Sequence, residues 1–105
     1  MGNFAKRVDE NQKEIVKAFR EIGASVQILS DVGKGCPDLL IGFAGRNWLI
    51  EIKNGNKPPS QQQLTEKEQQ FFNTWRGQVC IIRSIEQARF FFKNSLNVWS
   101  VLNDV

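Results

Sequence analysis

Three charged residues interrupt two segments that would otherwise be apolar throughout. In "VGKGCPDLLIGFAGRNWLIEIKN", residues 32–54, Asp38 opens one apolar run, and Glu51 and Lys53 alternate with Ile50 and Ile52 in the next. Taking a carboxylate or an ammonium out of water without a partner is costly, so the pattern asks for a chemical reason. Converging carboxylates can hold a divalent cation through oxygen ligands, and a lysine beside them supplies a point charge for a phosphate or a bound water. The chain contains no histidine and no tyrosine. That excludes Ser-His-Asp and Cys-His relays, a histidine-ligated zinc and a phosphotyrosyl intermediate. Any catalysis must run on carboxylates, lysines or a metal held by oxygen.

The elements that position these residues follow from periodicity. Val8, Ile15, Val16, Phe19 and Ile22 recur at helical spacing over 8–22, with Gly23 as a stop. "ASVQILS" (24–30) predicts a strand, followed by the Gly-rich loop "DVGKGCP". "DLLIGFA" (38–44) and "NWLIEIK" (47–53) predict two strands joined by a tight turn at Gly45 and Arg46, a hairpin. "NGNKPPSQQQ" (54–63) is polar, holds two prolines and has no period, which predicts a mobile loop. "TEKEQQFFNTW" (65–75) predicts a helix with Thr65 as N-cap, Glu68 in the capping-box position and Gly77 as its end. "QVCIIRS" (78–84) predicts a strand and "IEQARFFFK" (85–93) a helix, while the tail "NSLNVWSVLNDV" is apolar without clear period. The order is αβββαβα, an α/β class with a mixed sheet flanked by helices.

The turn sets which charges meet. With Gly45 and Arg46 as the loop, Ala44 faces Asn47, Asp38 lies opposite Lys53 and Leu40 lies opposite Glu51. Period two then places Asp38, Glu51 and Lys53 on one face. Asp38 and Glu51 become diagonal neighbours roughly 7–8 Å apart, able to lean together on one divalent cation. A three-residue loop would turn Asp38 to the other face. The same alternation also describes a strand with one solvated face, in which Asp38 and Lys53 form an ordinary cross-strand ion pair. On that alternative the chain is a non-catalytic nucleic-acid-binding or partner-binding α/β module.

Composition bounds the setting. A chain of 105 residues, 41% hydrophobic, suits one compact domain over 1–105. No charged leader precedes an apolar run and no apolar stretch reaches the ~18 residues of a membrane span, so the expectation is a cytoplasmic protein with no membrane partner. Cys36 and Cys80 lie far apart, as expected for free thiols in a reducing compartment. The net charge of +3 leans mildly towards an anionic partner.

"PD" at the head of one strand and "EIK" in the next, after an acid-bearing helix and a Gly-rich loop, resemble the PD-(D/E)xK nuclease superfamily. More narrowly, "EIVKAFREIGASVQILSDVGKGCPDLLIGF" and "NWLIEIKNGNKPPSQQQLTEKEQQFFNTWRGQV" resemble the virus-type replication-repair nuclease (VRR-NUC) domain, above all its compact stand-alone phage form. The likeness runs from about Asp9 to Glu86. It implies a restriction-endonuclease-like core, Mg2+ or Mn2+ as cofactor, and hydrolysis of DNA phosphodiesters leaving a 5′-phosphate. It also implies an intracellular role in phage or bacterial replication, repair or recombination, selective for branched or junction DNA. Carried over by residue, it makes Asp38, Glu51 and the Ile52 carbonyl direct metal ligands. Glu14 of the first helix, with Glu10 as the alternative, would reach the metal through water. Lys53 would orient the attacking water or meet the developing negative charge. The family often carries a glutamine at the start of the next helix, where this chain has Glu68 followed by Gln69.

Contacts to DNA should be largely to phosphates. Lys34 in the "GKG" loop, the backbone amides of Gly33 and Gly35, and Lys57 and Lys67 are the candidates. No zinc module or helix-turn-helix signature accompanies them, which favours recognition of shape. Cutting two strands requires two sites at a fixed separation, and Val98, Trp99, Val101 and Leu102 are apolar groups beyond those the core needs. Together these predict a symmetric homodimer.

Overall fold

A computed structural model describes residues 10–93 of the chain. The first helix, α1 (Gln12–Glu21), buries Ile15, Val16, Ala18 and Phe19 and leaves Lys13, Glu14, Lys17, Arg20 and Glu21 in water, the stripe that its spacing predicts. Glu14 in its first turn and Arg20 in its last complement the helix dipole. The N-cap residue Asn11 does not cap with its side chain. Its Nδ2 donates instead to the carbonyls of Lys53 (3.2 Å) and Arg83 (3.3 Å), which ties the start of α1 to two strand ends.

Four strands form one sheet in the order β1 (Ser25–Ile28), β2 (Leu39–Phe43), β3 (Arg46–Ile52) and β4 (Val79–Ile82). The first two pairings are antiparallel and the third is parallel, so the sheet is mixed. A parallel neighbour needs a crossover, and α2 (Glu66–Thr74) supplies it. Residues 85–93 form a last helix, α3. Within the described residues the predicted order αβββαβα holds.

One face of the sheet presents Leu39, Ile41, Trp48, Ile50, Ile52 and Ile82 to Ile15, Val16 and Phe19 of α1 and to Ala88 and Phe92 of α3. Phe92 stacks on Phe43 at 4.2 Å between ring centroids and meets Trp48 and Phe19 edge-on at 5.3 and 5.9 Å. Burying each such ring contributes roughly 1.5–3 kcal/mol. The opposite face carries Asp38, Glu51 and Lys53 beneath α2. Strand β3 is buried without a break from Trp48 to Ile52, because both of its faces are covered.

Several predicted details are corrected. The hairpin loop is Ala44–Gly45, with φ of +52° and +77°, and not Gly45–Arg46. A two-residue turn that matches the strand twist needs positive φ at both positions and prefers glycine second, which Ala44–Gly45 meets and an arginine in second place would not. The pairing is therefore Phe43 with Arg46, Leu40 with Leu49, and Leu39 with Ile50. This moves the register by two residues, so every side chain keeps its face. On extending the ladder, however, Asp38 lies across from Glu51 and not Lys53. The strands are shorter than their apolar runs, β1 and β4 spanning four residues each. The 54–63 segment contains a 3₁₀ turn, Pro59–Gln61, and Gln62 Nε2 donates to the Lys57 carbonyl at 2.7 Å, so the loop is internally bonded. Helix α2 ends at Thr74, ahead of Gly77, because Trp75 turns extended and stacks on Phe71 at 5.1 Å. The predicted start of α1 at Val8 and the tail 94–105 lie outside the described residues. Among those residues Cys36 and Cys80 form no disulfide, and no helix is long and apolar enough to cross a membrane.

Ala44 holds a left-handed backbone that asparagine tolerates better. Ala44→Asn is expected to stabilise the protein by about 0.5–1 kcal/mol. The check is a higher urea midpoint at unchanged m value.

Candidate active site

The site begins where the β2 ladder stops. Beyond Leu39 the partner of Ile52 would be Pro37, which is fully buried and has no N–H to give the Ile52 carbonyl. The Ile52 N–H donates instead to Asp38 Oδ2 at 2.8 Å. A strand residue's N–H and C=O point to the same side, so the Ile52 carbonyl also faces the Asp38 side of β3. "PD" followed by a strand is thus a local device that ends the ladder and replaces it with a carboxylate.

Across from Asp38 stands Glu51, only 2% exposed, with Lys53 beside it and Glu68 reaching down from α2; all four are buried. Lys53 Nζ lies 2.8 Å from Glu68 Oε1 and 3.7 Å from Glu51 Oε2. Glu68 Oε1 also accepts the Thr65 N–H at 2.9 Å, and the Glu68 N–H donates to Thr65 Oγ1 at 3.2 Å, which completes the predicted capping box. Glu51 Oε1 is buried without a hydrogen-bond partner. The Glu51 and Glu68 carboxyl groups are near enough to share a proton, which in the metal-free protein resides on Glu51.

Once all three carboxyls are ionised, as a bound cation would require, they leave two net negative charges around the one ammonium, the charge of one divalent cation. Burial pushes the Glu51 carboxyl up to about 9, the charges of Asp38 and Glu68 push it further the same way, and Lys53 pulls against them. Burial also acts to raise Glu68, but the hydrogen bonds from Lys53 and Thr65 and the lysine charge outweigh it and hold Glu68 below the usual range. The cluster is short of positive charge at Glu51. An orphaned, buried carboxylate oxygen beside a second carboxylate and an inward carbonyl suits a hard, oxygen-preferring cation. Among the described residues no three acidic or cysteine side chains form a metal cage by themselves. The protein therefore offers a partial ligand set, as Mg2+ sites that retain water commonly do.

The structure gathers Asp38, Glu51 and Lys53, and adds Glu68. It does not bring in Glu14, which is exposed and lines a polar hollow of about 440 Å³ with Asn54, Arg83, Ser84 and Gln87. Asp38, Glu68 and Lys53 are the charges that act on Glu51, and Glu14 is not one of them. The alternative Glu10 is exposed as well. The polar residue of α1 that turns inward is Gln12, whose Nε2 donates to Ser30 Oγ at 3.1 Å. Sequence reasoning passed over Gln12, although it precedes Ile15, Val16 and Phe19 at the spacing of their stripe.

The loop candidates divide. Gly33, Lys34 and Gly35 all have positive φ, and a Cβ on Gly35 would overlap the Lys67 carbonyl. The loop therefore presses on the first turn of α2, and brings the backbones of Lys34 and Lys67 together beside Glu68 while both lysine side chains stay exposed. Lys57 is exposed on the loop after β3.

Because folding raises the Glu51 pKa from an ordinary value of about 4.3 to about 9, the folded chain binds this proton more tightly than the unfolded one. The stability it confers is complete below about pH 4.3 and is lost as pH rises towards about 9. Metal-free protein should accordingly lose stability across that window, and Glu51→Gln should flatten the slope. Urea melts at a series of pH values, with chelator present, provide the check.

No family model matches the sequence, and no curated protein matches it. A solved structure described as "VRR_NUC domain" superimposes with a TM-score of 0.54 and 30% sequence identity, covering 78% of this chain and 89% of the other. With this coverage and identity, the chain belongs to the VRR_NUC domain family, a nuclease-type α/β fold with a restriction-endonuclease-like sheet.

Proposed function

We propose that the chain is a Mg2+- or Mn2+-dependent deoxyribonuclease that hydrolyses internal phosphodiester bonds of branched or junction DNA. The observation that carries this reading is the buried cluster of Asp38, Glu51, Glu68 and Lys53 in which Glu51 Oε1 has no partner. Asp38, Glu51 and the Ile52 carbonyl would hold the cation. When bound, it supplies Lewis-acid polarisation of the scissile phosphate and a water acidic enough to attack at neutral pH, which a chain without histidine otherwise lacks.

The remaining tasks belong to side chains. Asp38 is oriented by the Ile52 amide and so presents its carboxylate in a fixed direction. Lys53 places an ammonium beside Glu51, suited to steady the attacking water or the negative charge that grows on the phosphate. Exposed Lys34 and Lys67 would meet the backbone of the substrate next to the site, with Lys57 further along and the Gly33 and Gly35 amides beside them. Glu14, near the ends of β3 and β4, would act only through water. The products would carry a 5′-phosphate. A binding-only module is disfavoured by the same cluster, since three carboxylates buried round one ammonium cost desolvation that phosphate binding does not require.

Two-strand cleavage by so small a domain is best served by a two-fold dimer, and this is the assembly we propose. Val98, Trp99, Val101 and Leu102, on which the sequence argument for it rests, lie outside the described residues.

Titrating Mg2+ or Mn2+ should raise Tm by mass action, and chelator should abolish cleavage of branched DNA. Asp38→Ala, Glu51→Ala and Lys53→Ala should each lower the cleavage rate by about a hundredfold or more without unfolding the chain. A Lys53→Ala variant that cuts as fast as the parent overturns the assignment. Light scattering should give twice the 12.0 kDa of one chain, and a monomer with and without DNA removes the dimer.

A further inference from the structure

We propose that Glu68 is a positioning residue for Lys53: it draws the ammonium to 2.8 Å from its own Oε1, leaves it 3.7 Å from Glu51 Oε2, and thereby keeps Glu51 Oε1 open to a cation. The inference rests on the metal-dependent reading above and concerns how this chain maintains the site. Lys53 Nζ is at charge-assisted hydrogen-bond distance from Glu68, 2.8 Å, and at 3.7 Å it is beyond that distance from Glu51. Glu51 Oε1 is the oxygen left without a partner. If Lys53 swung to Glu51, it would neutralise the carboxylate that the cation needs.

Glu68 is itself immobilised. The oxygen that binds Lys53 also accepts the Thr65 N–H, and the Glu68 N–H is held by Thr65 Oγ1. From the other side Gly35 packs against the Lys67 carbonyl, where no side chain fits. A glutamate in the third position of a capped helix ordinarily serves the cap alone from the surface. Here it is 7% exposed and faces the sheet, so the helix cap and the lysine share one carboxylate oxygen. Helix α2, the glycine loop and β3 are thereby locked around the ammonium.

The test separates positioning from capping. Thr65→Ala and Glu68→Ala both weaken the cap, so both should lower Tm in metal-free buffer. Only Glu68→Ala should weaken Mn2+ binding in calorimetry without DNA, by about tenfold, the scale seen when an outer partner of a metal ligand is removed. It should also remove the slowly exchanging Lys53 ammonium resonance in NMR of the metal-free protein. Glu68→Gln keeps an acceptor oxygen for cap and lysine, and should recover the resonance and most of the affinity. If Glu68→Ala does not fold, Glu68→Asp, whose carboxylate falls one methylene short of Lys53, carries the same expectation. Equal Mn2+ affinity in the Thr65→Ala and Glu68→Ala (or Glu68→Asp) proteins, with the resonance retained, overturns the proposal. A parent that binds no Mn2+ overturns the nuclease reading instead, and the resonance alone then decides the role of Glu68.

Discussion

The hydrogen bond from the Ile52 amide to Asp38 Oδ2, 2.8 Å long, joins the architecture to the chemistry. Pro37 has no N–H to give the Ile52 carbonyl and the ladder ends there, so the buried Ile52 amide, no longer paired to a strand carbonyl, needs a substitute acceptor. The Asp38 carboxylate is that substitute. Its place in the sheet is thus set by a backbone requirement, on the face where Glu51 stands. Much of the site's geometry follows from this one contact: Glu51 lies across from Asp38, Lys53 lies one pleat further on, and the Ile52 carbonyl faces the same side.

The same sheet performs two opposed tasks. Its α1/α3 face is a close-packed layer in which Phe19, Phe43, Trp48, Phe91 and Phe92 meet ring to ring. Its α2 face buries three carboxylates and one lysine. Charges brought together in this way oppose folding until a proton or a cation relieves them, and the Glu51 carboxyl, pushed up to about 9 chiefly by burial, is where that opposition concentrates. The apolar face must supply the stability that the charged face withholds, which is why the two are built back to back on β3.

Helix α2 does more than connect β3 to β4. Its first turn is capped by Thr65 and Glu68, pressed by Gly35, and bonded to Lys53. A small domain with few layers has little room for separate supporting elements, so a capping group, a crossover and a neighbour of the site coincide in one turn. The VRR_NUC domain family provides the frame within which this turn sits.

Order and type of the elements were legible in the sequence, because the apolar stripe of Ile15, Val16, Phe19 and Ile22 and the alternation of Glu51 and Lys53 with Ile50 and Ile52 are local consequences of how each element meets its neighbours. So was the grouping of Asp38, Glu51 and Lys53 on one side, since strand parity survives a two-residue change of register. The partner within that group was not legible. It depended on whether Ala44 or Arg46 entered the turn, a choice governed by backbone conformation at a single residue. The capping role of Glu68 was written in "TEKE", but its bond to Lys53 was not, because that contact spans fifteen residues and exists only once α2 lies over β3. The helical acid was the least legible. Glu10 and Glu14 both lie off the apolar stripe, and only tertiary packing turned Glu14 towards Asn54 and Arg83 while Gln12 went inward, the direction of a helix face being set by what the neighbouring elements cover.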